Sequence, residues 1–106
     1  MEFMHIGVPT RKEHPGEVYK ESMKVYITNP DNHDYKFEYL RYMPDSTFNE
    51  RVRTTPHIAV KVDDIEEELK KCDEILVEPF PASGGKKLCF AVRDGVIFEF
   101  MQFPKE

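Results

Sequence analysis

Apolar and polar side chains alternate along several short stretches of this chain, the period-two mark of strands with two unlike faces. Over residues 3–8, Phe3, His5 and Gly7 fall on one face and Met4, Ile6 and Val8 on the other, and Pro9 ends the run. Residues 16–22 are weakly patterned and predict one turn of helix or a short strand. Met23 to Thr28 reads as a strand through Val25, Tyr26 and Ile27. The cluster Asn29-Pro30-Asp31-Asn32-His33-Asp34 reads as a turn. Tyr35 to Tyr42 is again β-prone, with faces Tyr35/Phe37/Tyr39 and Lys36/Glu38/Leu40. Residues 44–56 show no period and predict a surface connection. His57 to Val62 is a strand with His57, Ala59 and Lys61 on one face and Ile58, Val60 and Val62 on the other.

The period then changes. Asp63-Asp64 opens a helix over 64–71, because either Asp can cap it with a glutamate three residues on, Glu66 or Glu67. Ile65, Leu69 and Cys72 form its apolar stripe, and Glu66, Glu67, Glu68, Lys70 and Lys71 its wet face. A short strand follows around Ile75-Leu76-Val77, then a loop over 79–87 and a strand over 86–92. Asp94-Gly95 is a hairpin signal, since both central residues of that turn need positive φ. In the last strand Val96, Phe98 and Phe100 oppose Ile97, Glu99 and Met101, so one carboxylate stands in an apolar row. A buried carboxylate requires a charge partner, hydrogen bonds or a metal.

Two segments repeat. His57-Ile58-Ala59-Val60 echoes His5-Ile6-Gly7-Val8, an offset of 57 − 5 = 52, and Phe98-Glu99-Phe100-Met101 echoes Phe37-Glu38-Tyr39-Leu40, an offset of 99 − 38 = 61. The second copy is nine residues longer (61 − 52), about one short helix and a turn. The chain therefore reads as one domain with an internal duplication: a first module over 1–44, a connection over 45–56 and a second module over 57–103.

Composition narrows the functional classes. At 106 residues and 40% hydrophobic the chain has enough material for one core. Its 15 basic and 20 acidic residues leave a net charge of −5 and no basic stripe, which argues against nucleic acid. No apolar run reaches membrane-spanning length and the N-terminus has no secretory pattern, so a cytoplasmic setting is expected. Cys72 and Cys89 stand alone and are expected to behave as small buried apolar residues rather than as a disulfide.

His-Ile-Gly-Val at the start, Pro56-His57-Ile58-Ala59-Val60-Lys61-Val62-Asp63-Asp64 at the midpoint and Arg93-Asp94-Gly95-Val96-Ile97-Phe98-Glu99-Phe100 at the end carry a resemblance to a known group. The chain resembles the glyoxalase/bleomycin-resistance/extradiol-dioxygenase proteins, the vicinal oxygen chelate superfamily, over nearly its whole length. The resemblance implies an α+β fold of two βαβββ modules, the first with a reduced helix, whose curved mixed sheets form a cup around a divalent metal. It implies metal ligands at His5, Glu38, His57 and Glu99, with Glu99 or Glu38 as catalytic base, Glu99 the better choice. Members commonly pair, so a homodimer is expected.

The residues support the same chemistry directly. Two imidazoles and two carboxylates on duplicated strands converge if the repeats pack about a pseudo-twofold. Such a donor set suits Zn, Ni, Fe, Mn or Co. Gly7 and Ala59 are small and are expected to leave room on the face of the histidines, with Ile6, Val8, Ile58, Val60 and Val62 packing the opposite one. A metal there would serve glyoxalase-like isomerase or lyase chemistry on a small oxygen-rich substrate. A fourth ligand, Glu38, leans away from extradiol dioxygenases. The alternatives are a non-catalytic small-molecule binding or resistance protein on the same scaffold, and a plain interaction domain. His14 and His33 are expected in solvated loops. Ser83-Gly84-Gly85-Lys86-Lys87 lacks the spacing of a phosphate loop and reads as a flexible hairpin connection, whose lysines could meet an anionic substrate at the rim.

Overall fold

A computed structural model describes residues 1–105. Two compact units are built into the chain: His5–Pro56, and Met1–Met4 together with the residues from His57 onward. The first unit contains strands β1 (Glu2–Pro9, from His5), β2 (Val18–Lys20), β3 (Val25–Ile27) and β4 (Phe37–Tyr42), with helix α1 (Glu50–Thr54) after them. Its strand order is β2-β3-β4-β1. The second contains β5 (His57–Lys61), helix α2 (Ile65–Leu69), β6 (Glu74–Pro81), β7 (Lys87–Arg93) and β8 (Val96–Gln102), in the order β5-β8-β7-β6. In each, the first strand pairs parallel with the last and the remaining pairs are antiparallel. The α+β class and the module pair are those expected from the sequence.

The duplication extends to hydrogen-bond register. β1 and β4 align Ile6 with Phe37, Gly7 with Glu38 and Val8 with Tyr39. β5 and β8 align Ile58 with Phe98, Ala59 with Glu99 and Val60 with Phe100. Adding 52 to the first-strand numbers and 61 to the last-strand numbers converts one register into the other.

The second module is the fuller. Asp64 caps α2 by accepting from the Glu66 N–H at 3.0 Å, and Gln102 Oε1 on β8 accepts from the Ile65 N–H at 2.9 Å. These satisfy donors that a helix start otherwise leaves open. The helix ends at Leu69, short of the expected 71, and continues as a turn. Ile65, fully buried, joins Val60, Val62, Cys89, Ala91 and Phe100 in a core against which Leu69 and Cys72 pack. On the other face Ala59, Leu88 and Met101 form a second cluster that Met4, Phe80 and Phe103 cover. The space that Ala59 was expected to leave is therefore filled by Leu88 and Met101. The hairpin at Asp94 (φ 54°) and Gly95 (φ 81°) is as the dipeptide required.

The first module has no helix between β1 and β2, where the chain makes bends and turns over 10–17. Its outer aromatic row is covered instead by two imidazoles. His14 stacks on Tyr39 with ring centroids 3.8 Å apart, and His33 stacks on Phe37 at 4.6 Å. His14 Nδ1 donates to the Lys12 carbonyl at 2.9 Å, and His33 Nδ1 accepts the Tyr35 N–H at 3.0 Å. These histidines are half-buried packing residues, not the solvated ones expected, because the loops carrying them fold over the sheet. The segment 16–22 resolves to a strand, β2, and β4 begins at Phe37 because Lys36 turns the chain with φ 60°.

Two expected irregular stretches are ordered. Residues 44–56 contain α1, whose cap Asn49 accepts from the N–H groups of Arg51 and Val52 at 2.9 and 3.3 Å and whose Val52 is fully buried. The loop expected over 79–87 shrinks to residues 82–86, because β6 runs through Pro79 to Pro81. Proline is tolerated there because β6 is the terminal strand of its module and its pairing with β7 shifts register twice.

Both cysteines are free. Burial pushes the Cys89 thiol up to about 12 and raises that of Cys72. Since the thiolate is the reacting form, a thiol reagent at pH 8 is expected to label native protein slowly at Cys72 and not at Cys89, with both reacting once the chain is unfolded. Rapid native labelling of Cys89 would contradict the packing of β7 under α2.

Arg41 on β4 donates through Nε and Nη2 to the Glu17 carboxylate and lies over the Tyr26 ring at 4.3 Å. The Arg41 hydrogen bond, with a smaller coulombic contribution, holds the Glu17 carboxyl below its usual 4.5. A lowered folded-state pKa means stability that is present above the ordinary glutamate range and lost as pH falls through the folded value. Replacing Glu17 by Gln is expected to flatten the acid limb of the stability profile, read as Tm against pH from 3 to 7.

Candidate metal centre

Each module presents one histidine and one glutamate in contact. His5 Nε2 lies 3.3 Å from Glu38 Oε1, and His57 Nε2 lies 3.1 Å from Glu99 Oε1. The register explains both contacts. Glu38 stands opposite Gly7 and Glu99 opposite Ala59. Each histidine is two residues earlier on the same strand, so it shares a face with the small residue and meets the carboxylate on the diagonal. The sequence pattern His-x-(Gly/Ala), read with the strand pairing, thus specifies the contact.

Burial makes these pairs unusual. His5, His57 and Glu99 are 5%, 2% and 7% exposed, three of the four buried polar residues among those described, the other being Ser46. Isolated charges in such positions are costly, so pairing is required. In the second module Phe90, aligned with Glu99 on β7, meets the His57 ring edge-on, centroids 5.2 Å apart at 89°. The imidazole therefore has a fixed plane. The first module gives less cover, because β3 pairs with β4 only over Leu40 to Tyr42 and stops short of Glu38. The Glu38 side chain is accordingly 15% exposed against 9% for Glu99.

The residues fit a divalent ion by chemistry. Neutral imidazole nitrogen and carboxylate oxygen are ligands for first-row divalent metals, and His5, His57 and Glu99 carry donor atoms of this kind. Within each pair the ring nitrogen already faces the carboxylate oxygen. His14 and His33 belong to the outer stacking described above and are not part of this set. No residue of α1 was anticipated near function from the sequence.

No protein-family model and no curated protein sequence matches the chain. Solved structures do. A hypothetical protein, BH1468 from Bacillus halodurans C-125, superposes with a TM-score of 0.69 at 23% identity, covering 99% of this chain and 96% of that one. Methylmalonyl-CoA epimerase from Mycobacterium tuberculosis superposes with a TM-score of 0.55 at 11% identity, covering 98% of this chain and 89% of that one. At these identities the likeness establishes the fold, which is vicinal-oxygen-chelate-like across both modules.

Proposed function

We propose that the chain is a divalent-metal-dependent enzyme of glyoxalase type, an isomerase or lyase acting on a small oxygen-rich molecule, with His5, Glu38, His57 and Glu99 as one metal-binding set. The observation that carries this reading is the same imidazole–carboxylate contact in the same register in both modules. A structural salt bridge needs no duplicate with a matching diagonal, whereas a centre drawing two ligands from each copy does. Zn, Ni, Fe, Mn and Co all accept such a set. When bound, the ion would polarise a substrate carbonyl as a Lewis acid.

The remaining chemistry falls to the chain. Glu99, held by His57 and walled by Phe90, is the base we assign. Its carboxylate takes the proton α to the carbonyl, and the C–H electron pair moves toward the carbonyl. Returning the proton to the other face of that carbon gives epimerisation, and returning it to the neighbouring carbon gives isomerisation. We assign Glu38, the more exposed carboxylate, as the second proton carrier. The fold shared with an epimerase supports proton transfer at a carbon next to a carbonyl over redox chemistry. The free thiols fit a cytoplasmic setting, and the exposed outer strand β2 fits a homodimer in which a second copy covers a sheet edge.

Proton transfer is tested by incubating metal-loaded protein in D2O with a methyl-branched acyl thioester and with a hemithioacetal, followed by NMR. Deuterium is expected at the α-carbon of one of them, and Glu99→Gln is expected to abolish it. Metal binding with no exchange in either probe would favour a binding protein on this scaffold.

A further inference from the structure

We infer that the first module carries a second ligand site, an arginine-lined cleft that binds the phosphate group of a small phosphorylated molecule. The cleft has a volume of about 510 Å³ and is lined by Thr10, Arg11, Arg41, Tyr42, Arg53 and Thr54, with Met43 and Pro44 completing it. The chain has five arginines, Arg11, Arg41, Arg51, Arg53 and Arg93, so three of the five meet here. No carboxylate lines the cleft, in a protein whose net charge is −5. Such a concentration of one charge type runs against the chain's composition and calls for an anion.

Two of the guanidinium groups are held in place. Arg53 Nε donates to the Phe48 carbonyl at 2.7 Å, which leaves its two terminal nitrogens uncommitted among the described residues. α1, capped by Asn49, fixes the backbone from which Arg53 projects. Arg41 is fixed by Glu17 on one side and by the Tyr26 ring on the other. Arg11, on the loop after β1, has no carboxylate partner among the described residues. A guanidinium fork held by other bonds loses little freedom when it takes an oxyanion, and its parallel N–H groups match phosphate oxygens.

Charge selects phosphate over carboxylate. Glu17 pairs with Arg41, and Glu13 acts on the same guanidinium through space, so Arg11 and Arg53 are the two arginines of the cleft with no carboxylate bound to them among the described residues. A phosphate monoester carries a charge of about −1.5 to −2 near neutral pH and offers three acceptor oxygens. A carboxylate would offset only one arginine. The volume lies within the roughly 300–1,000 Å³ of small-ligand sites and exceeds what a phosphate alone fills. The rest of the ligand therefore packs on Tyr42, Met43 and Pro44. None of the four proposed metal ligands lines this cleft, so this site stands or falls separately from the metal centre.

The test is calorimetric titration of the metal-depleted full chain at constant ionic strength with inorganic phosphate, glycerol 3-phosphate, succinate and chloride. Both phosphate probes are expected to saturate one site per chain, glycerol 3-phosphate the more tightly. Arg11→Gln and Arg53→Gln should each weaken binding about tenfold or more. Lys70→Gln, a change at the exposed C-terminal cap of α2 in the other module, should leave it unaltered. Arg11 is exposed and its loss does not endanger folding, so it decides the matter if Arg53→Gln proves unstable. Phosphate binding no stronger than chloride, succinate binding tighter than either phosphate probe, or affinity indifferent to Arg11→Gln would overturn the assignment.

Discussion

Replacing Ile65 by alanine is expected to cost about 2–5 kcal/mol of folding stability, the usual range for emptying a fully buried aliphatic site. Ile65 is the one fully buried residue of α2, and it seats that five-residue helix against Val60, Cys89, Ala91 and Phe100. A helix this short has no stability of its own, since its nucleation cost exceeds what so few hydrogen bonds return. Its cap at Asp64 and its link to Gln102 help only while the Ile65 side chain is docked. In a chain of 106 residues a loss of this size lowers Tm by roughly 10 °C or more. Leu69→Ala, at the half-buried end of the helix, should cost clearly less. Chemical denaturation of the three proteins checks this. A loss below about 1 kcal/mol for Ile65→Ala would mean that α2 is not what closes the second module's core.

The second large effect is expected at Glu99. Glu99→Gln keeps the shape of the side chain and removes its charge, leaving His57 facing a neutral amide. Divalent-metal affinity should fall by roughly a hundredfold, the scale set by removing one partner from a buried charged group, about 3 kcal/mol. Glu38→Gln should have the smaller effect, because its carboxylate is more exposed and β3 does not cover it. Titration calorimetry with Zn, Ni and Mn on the wild type and both variants measures the ranking. Equal affinities in all three would remove the carboxylates from the proposed ligand set. Circular dichroism of the variants separates lost metal from lost fold.

Much of this arrangement was legible in the sequence, and the reason is the repeat. Two offsets, for His5/His57 and Glu38/Glu99, marked equivalent strands in the two modules, and the same offsets relate the two observed pairings. The second module was easiest to read because its periods are clean: alternation in β5 and β8, a capped helical stripe between them, and Asp94-Gly95 at the hairpin. The partner of each histidine was not legible, since it depends on register, and register follows from the paired strands together. Local signals also misled. Pro79 and Pro81 pointed to a loop, yet a terminal strand with register shifts accommodates both. α1 is one turn with a single buried residue, Val52, too short to show a helical period, although Asn49 before Glu50 was a usable cap signal. His14 and His33 carried no pattern, because stacking on Tyr39 and Phe37 requires the loops to fold back across β4. In the first module those rings stand where α2 stands in the second, which explains how a copy without its helix still covers its aromatic face. The arginine cleft was missed for a similar reason: Arg11, Arg41 and Arg53 come from a loop, a strand and a helix with no common spacing.

Metal content is the most direct test of a duplicated imidazole–carboxylate pair serving one ion. Protein purified without chelator and analysed by inductively coupled plasma mass spectrometry is expected to hold one first-row divalent ion per chain, or to take up one on titration after depletion. The His5→Ala and His57→Ala variants should each lose that stoichiometry while remaining folded. A wild-type chain that neither carries nor binds such an ion, or a His57→Ala chain that binds it as tightly as wild type, would contradict the proposed centre.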